Sequence, residues 1–216
     1  MPMRWTAYAT LFLSFFVILG SLPGLARAEV ATDCFSEDWN RRIGGCTIII
    51  ESNTATPAEK AQAYAMRALA LSIKGQYDVA IRDYDEAIRI APDFAVALNN
   101  RAWAYFKWGK GLRGMPDVER SLQLNPLSEH TWDTRAHIRQ TLGQFAGAFS
   151  DYERAVDLGG ERMIKLYQCG LTEMGLYKGK IDGVYSKDVR EALRQCAFRK
   201  DCDPLPGDEQ CRQATS

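Results

Sequence analysis

Three stretches of this chain align column by column at a spacing of 34 residues, and that period restricts the fold more than any other feature. Units starting at Ala61, Ala95 and Glu129 stack without a gap. Tyr64, Leu98 and Trp132 share a column, as do Arg67, Arg101 and Arg135, and then Ala68, Ala102 and Ala136. Gly75, Gly109 and Gly143 follow, and Ala80, Gly114 and Ala148 come after them. Further on stand Asp83, Asp117 and Asp151, then Tyr84, Val118 and Tyr152, then Ala87, Ser121 and Ala155. Pro92, Pro126 and Gly160 close the units.

Each column has a physical reading. Small residues at the Ala68 and Ala80 columns let two helices approach closely, and large ones at the Tyr64 and Tyr84 columns fill the space beside them. The Gly75 column supplies a left-handed residue to end a first helix. The Pro92 column stops a second helix. A unit of this kind is a helical hairpin that buries its apolar face only by stacking on its neighbours. The aspartates at 83, 117 and 151 recur with the fold and so read as structural.

This pattern resembles the tetratricopeptide repeat (TPR) family over residues 61–160, as units 61–94, 95–128 and 129–160. The resemblance implies an all-α solenoid whose first helices line a concave groove for an extended peptide or a helix. On that geometry the groove holds Asn99, Asn100, Trp103, Phe106, Lys107, His130 and His137. Asn99 or Asn100 would hydrogen-bond a peptide backbone. Trp103 and Phe106 would anchor it, or Trp103 would pack between helices. Some relatives grip a C-terminal carboxylate; at the corresponding columns this chain has Asn100 but Ala65, Leu69, His130 and Thr134, so that clamp is absent or degenerate. The second unit departs from the pattern. Gly109, Gly111 and Gly114 crowd its turn and Pro116 follows, so its second helix is expected to start late and to be the least stable.

The flanks are also helical in pattern. Residues 33–52 carry Trp39, Ile43 and Ile48-Ile49-Ile50. A helix is favoured over a strand there, because Cys46 and Ile50 precede Ala80 and Tyr84 by one period. After Gly159-Gly160 a further helix is expected, with Ile164, Leu171 and Met174 on one face and Gly175 ending it. Ser186 is an N-cap for a last helix bearing Val189, Ala192 and Leu193. The segments Leu166-x-Gln168-x-x-Leu171, Gly175-x-Tyr177-x-Gly179-x-Ile181-Asp182-Gly183 and Arg190-x-Ala192-Leu193 resemble a peptidoglycan-binding-like domain. That resemblance implies a wall-binding loop at Tyr177, Gly179, Ile181, Asp182 and Gly183. The structural alternative is a cap for the solenoid, with Asp182 holding backbone amides and Ile181 plugging the core.

The first 28 residues read as a signal peptide: Arg4, an apolar run from Leu11 to Leu19, a break at Pro23-Gly24, and Ala26-Arg27-Ala28 before the cut. The alternative is an uncleaved anchor, the only route by which a membrane enters the reading. Either places the folded part outside the cytoplasm, periplasmic or secreted when cut, facing the periplasm from the inner membrane when retained. Six cysteines after the cut (Cys34, Cys46, Cys169, Cys196, Cys202 and Cys211) fit an oxidising compartment. Six allow 15 connectivities. Cys34 with Cys46 is the natural local pair; Cys202 with Cys211, and Cys169 with Cys196, are further candidates.

Lys+Arg and Asp+Glu each number 27, so no field favours nucleic acid. No C-x-x-C pair, P-loop, G-x-S-x-G or H-E-x-x-H pattern occurs, so no metal, cofactor or catalytic centre is expected. The reading is a signal peptide at 1–28, a helical segment at 29–60, the repeats at 61–160, a peptidoglycan-binding-like segment at 161–200 and a Cys/Pro-rich tail at 201–216. The function expected is a non-catalytic adaptor in the cell envelope with a protein or peptide in its groove. The alternatives are a peptidoglycan-associated protein and a membrane-anchored assembly factor.

Overall fold

The computed structural model describes residues 32–205, and residues 1–31 and 206–216 lie outside them. The expected signal segment and Cys211 therefore fall beyond the described residues. Those residues contain eight long helices and no strand. They are α1 (Trp39–Glu51), α2 (Pro57–Ile73), α3 (Tyr77–Ile90), α4 (Ala95–Lys107), α5 (Gly111–Leu124), α6 (Glu129–Thr141), α7 (Phe145–Glu173) and α8 (Lys187–Ala197).

Each repeat unit is one hairpin: α2 with α3, α4 with α5, and α6 with the first part of α7. The first helices also touch one another, α2 against α4 and α4 against α6, and form the inner layer. The architecture is a TPR-type helical solenoid. All three inter-helix turns close alike. Gly75, Gly109 and Gly143 have φ of 75°, 74° and 77°, the left-handed region that this column needs. The next residue's N–H reaches back along the helix, Gln76 to Leu71 O, Lys110 to Tyr105 O and Gln144 to Arg139 O, at 2.8–2.9 Å. These bonds satisfy carbonyls that a helix end leaves open.

Caps set the other starts. Thr56 and Glu59 form a reciprocal capping box ahead of α2, with Pro57 as its first residue. Ser128 caps α6 and Ser186 caps α8 through their hydroxyls. Asp38 caps α1 by accepting from the Asn40 and Arg41 amides. That helix covers the open face of α2, and the Cys34–Cys46 disulfide pins the preceding turn to it.

The core follows the columns. Ala68, Ala80, Tyr84 and Ala87 are fully buried in the first unit, and Ala136, Ala148, Tyr152 and Ala155 in the third. The middle of the array is thinner: Ala102, Val118 and Ile138 form a small cluster of their own. The arginine and aspartate columns are joined. Arg67 binds Asp83, Arg101 binds Asp117 and Arg135 binds Asp151, each through two nitrogens at 2.7–2.9 Å.

Three expectations need correction. The second helix of the second unit does not start late: α5 begins at Gly111, in register with Tyr77 and Phe145. Pro116 forgoes one backbone bond on a stretch of that helix where Leu112 and Pro116 are both exposed. Gly114 then lets α5 close on α4, since a Cβ there would lie 2.8 Å from the Ala102 carbonyl oxygen. The helix expected after Gly159-Gly160 is there as expected: Gly160 leaves helical geometry (φ 56°, ψ −143°), and within the span of α7 a second helix runs on from it to Glu173. Ile181 does not plug the core; it is 43% exposed, and Tyr177, at 9%, is buried instead. Cys202 pairs with Cys196, which excludes both the Cys202–Cys211 and the Cys169–Cys196 pairings. Those two cysteines are six positions apart, and the turn after α8 brings them together. Cys169 is also disulfide-bonded.

Candidate functional site

The inner layer presents α4 and α6 side by side, and the groove residues expected there separate into two clusters. The first is an open cleft between the N-terminal halves of the two helices, lined by Val96, Asn99, Asn100, Ser121, His130 and Thr131, among others. Asn99 is 9% exposed, and its side-chain nitrogen points to Asn100 Oδ1 at 3.4 Å. Its buried Oδ1 accepts no hydrogen bond from the described residues. A buried carbonyl oxygen without a donor carries a desolvation cost that an incoming N–H removes. His130 is exposed on the rim, 3.6 Å from Glu129.

The second cluster is aromatic. Trp103 and Phe106 lie 5.0 Å apart between ring centroids, and each is 5.3 Å from the ring of His137. The Trp103–His137 contact is edge-to-face. Lys107 Nζ reaches over Trp103 at 5.5 Å and Phe106 at 5.9 Å. Trp103 and Phe106 are half-buried, so each both packs and presents a surface.

His137 is buried, at 2% exposure, and its ring is held at both ends. Nδ1 lies 2.9 Å from the Asp133 carbonyl oxygen and 3.5 Å from the Asp133 carboxylate. Nε2 lies 2.9 Å from Asp203 Oδ1. A carbonyl and a carboxylate only accept, so both ring nitrogens donate and the ring is an imidazolium. Burial pushes His137 down, but Asp133 and Asp203 outweigh it and raise its pKa to about 9. Burial pushes Asp133 up, against the opposite pull of His137 and of the Tyr167 hydroxyl that donates to it. Asp203 is held low: burial pushes it up, and His137 more than reverses this.

Asp203 arrives from far along the chain. Residues 199–205 leave α8 and cross the inner face of α6, covering its C-terminal half. Gln140, one turn after His137 and 2% exposed, gathers the strap's backbone. Its amide nitrogen donates to the carbonyls of Cys196 at 3.0 Å, Cys202 at 2.7 Å and Arg199. Its Oε1 accepts from the Tyr152 hydroxyl at 2.6 Å. Gln140, Tyr152 and Tyr167 are thus part of the site without being among the groove residues that the repeat pattern singles out, whereas Asp133 stands in a groove column. Nothing in the sequence connects Asp203 to it.

The loop expected to bind the wall is spent on itself. The Tyr177 hydroxyl donates to Lys180 O at 3.0 Å. Asp182 Oδ1 accepts from Gln168 Nε2 at 2.9 Å and from the Val184 amide at 3.0 Å. Gln168, fully buried, also accepts from the Gly183 amide at 2.9 Å. These bonds hold Asp182 below the usual carboxylate range. Gly179 packs against the Tyr177 ring. Lys178, Gly179, Lys180, Ile181, Asp182 and Val184 are exposed.

Fold and groove together define a short TPR-type solenoid with one open cleft and one strapped wall on its inner face. The TPR repeat profile matches residues 68–109, which run from the first unit into the second. An Hsp70-Hsp90 organizing protein of Triticum aestivum is 31% identical over 109 residues, covering 50% of this chain and 16% of that protein. A heat-shock protein cognate (HSC) co-chaperone, sgt12, of Aspergillus fumigatus is 29% identical over 85 residues, covering 39% of this chain and 25% of that protein. Sperm-associated antigen 1 of Homo sapiens is 33% identical over 85 residues, covering 39% of this chain and 9% of that protein. The chain thus spans a quarter or less of the length of these relatives.

Proposed function

We propose that this protein is a non-catalytic adaptor that holds an extended segment of a partner protein in its inner groove, outside the cytoplasm. The observation that carries this is Asn99. Its side-chain oxygen is buried in the open cleft and lacks a donor, beside Asn100 and the exposed His130. A peptide N–H laid along α4 supplies that donor, and Trp103 and Phe106 offer aromatic surface further along the groove. The similarity to co-chaperones supports a protein partner. Export is supported by the leader-like N-terminus and by the Cys34–Cys46 and Cys196–Cys202 disulfides, which persist in oxidising compartments. If the leader is retained instead of cut, the same groove is tethered to a membrane. Peptidoglycan is not part of this reading, because Tyr177 and Asp182 are used within their own loop.

The test is a crosslinking pull-down of the exported form from its native envelope. Partners captured by the wild type should be lost from an Asn99→Ala, Asn100→Ala variant whose helix content is unchanged. An identical partner list from both would overturn the proposal.

A further inference from the structure

The strap shows what the wall beneath it recognises. His137 donates from a buried ring nitrogen to the carboxylate of Asp203, whose residue is only half-buried. Gln140, one turn on, ties down the end of α8 and the turn after it, through the carbonyls of Cys196, Arg199 and Cys202. Both lie on α6, in the inner layer, directly after the open cleft.

The supporting structure is built for this contact. His137 is fixed by the Asp133 carbonyl, and Gln140 by the Tyr152 hydroxyl, so the His137 ring does not have to reorganise to bind. The Tyr152 ring stands edge-on to His137 at 5.1 Å and to Tyr167 at 5.7 Å. Gly170 in α7 has no side chain, which lets the Pro204 backbone come against the helix. The strap's outer side is open: Arg199, Lys200 and Asp201 are all exposed. A small hollow lies between strap and groove, lined by Phe106, His137, Gln140 and Asp203.

We propose that the His137 ring is a second recognition subsite of the groove, for the aspartate or glutamate side chain of a bound segment, and that Asp203 occupies it as a built-in competitor, while Gln140 keeps the turn before Asp203 in place. A partner engaging the whole inner face supplies its own acidic side chain to His137 and lifts residues 203–205 away. The proposal rests on the groove reading above and adds to it the chemistry of the partner and a threshold for its binding. A segment without an acidic side chain leaves His137 Nε2 without an acceptor, with only Asp133 beside the ring, and does not displace the strap.

The test uses the full exported chain with its disulfides intact. The probe is a blocked peptide, Arg-Lys-Asp-Ser-Asp-Pro-Leu, which copies residues 199–205 with serine for Cys202. Asp203→Asn removes the charge without changing shape. Backbone hydrogen exchange should then quicken at the amides of residues 203 and 205, Pro204 having none, while the helices keep their protection. The variant should bind the peptide roughly tenfold or more tightly than the wild type does, the scale of one charge-assisted bond. Adding His137→Gln should abolish the gain, and so should asparagine at both peptide aspartates. Faster exchange with no gain in binding would show the wall to be structural only and overturn the proposal. Unchanged exchange would show that Asp203 does not hold the strap and would also overturn it. The pull-down with Asn99 and Asn100 reads the open cleft alone, so the two readings fail separately.

Discussion

Arg101 holds Asp117 with two nitrogens at 2.7 Å each and turns its remaining nitrogen to Asp85 of the preceding hairpin at 2.6 Å. One guanidinium thus closes its own hairpin and links it to the unit before. Arg135 does the related job in the third unit: it pairs with Asp151, which also accepts from Arg139 at 2.7 Å. In the first unit Arg67 pairs with Asp83 and reaches Thr47 of α1 at 3.0 Å. In the first two units, then, the arginine column also fastens each hairpin to the element that precedes it.

Removing one half of the middle clasp should be felt across the array. Asp117→Ala leaves Arg101 partly buried and half-paired. The side chains are 19% and 11% exposed, so solvent screens part of the loss. We expect about 2–3 kcal/mol of destabilisation, below the roughly 3–5 kcal/mol of a fully buried pair. Urea melts followed by circular dichroism measure it. Arg101→Met with Asp117→Leu should recover part of the loss.

Gly114 and Gly44 should respond oppositely to alanine. A Cβ at Gly114 would meet the Ala102 carbonyl oxygen at 2.8 Å and its Cα at 2.9 Å, and backbone cannot give way cheaply. Gly114→Ala should cost about 1–3 kcal/mol. Gly44 lies within α1 with no atom within 4 Å of an added Cβ, so Gly44→Ala should stabilise by up to about 1 kcal/mol. Thermal melts of the two variants check the contrast.

Stability should fall on the alkaline side. His137 is raised from 6.5 to about 9, so its contribution is fully present below about pH 6.5 and lost as pH rises through about 9. The groups facing it are Asp133 on its own helix, Asp203 on the strap and Tyr152 on α7, with Lys107 acting on Asp203 from α4. Asp203 is lowered, so its share is present above the ordinary carboxylate range and lost on acidification. Asp133 is raised, so its ionisation opposes the fold as pH climbs through the acid range. Between pH 6.5 and 9 we expect a loss on the order of 2 kcal/mol. His137→Gln should flatten that slope in a series of urea melts.

The two disulfides with both partners described should differ in weight. Cys34–Cys46 spans 12 positions and Cys196–Cys202 spans 6, which on loop entropy correspond to about 3 and about 2 kcal/mol. Breaking the second by Cys196→Ser with Cys202→Ser should also loosen the carbonyls that converge on Gln140. Non-reducing peptide mapping should recover both links, and exchange at residues 199–203 should rise in the double variant.

The part of the fold legible in the sequence is the part that repeats. The hairpins, the glycine turns and the buried alanine and tyrosine columns come from the 34-residue period, because each unit meets nearly the same neighbours. The arginine and aspartate columns are visible there too, but their pairing needs the geometry of the hairpin, which sets residues 16 apart in contact. The start of α5 defeats a local reading because glycine and proline preferences yield to packing against α4. Ile181 defeats one because Tyr177, a few residues earlier, takes the buried position. In the strapped half of the site His137 stands in a groove column, but the strap that covers it is hidden. Asp203 and His137 are 66 positions apart and belong to no shared pattern, so only the folded chain brings them together.

The bend at Gly160 means the array has no clean place to be cut. Two helices joined at Gly160 without a loop serve as the last wall of the third hairpin and as the spine of the C-terminal segment. Tyr152 and Ala155 before the bend share a single apolar cluster with Met163, Tyr167 and Leu171 after it. A chain shortened to its three hairpins would leave that greasy seam bare to water. Such a fragment should clump, whereas one ending after the strap would keep its last layer dry.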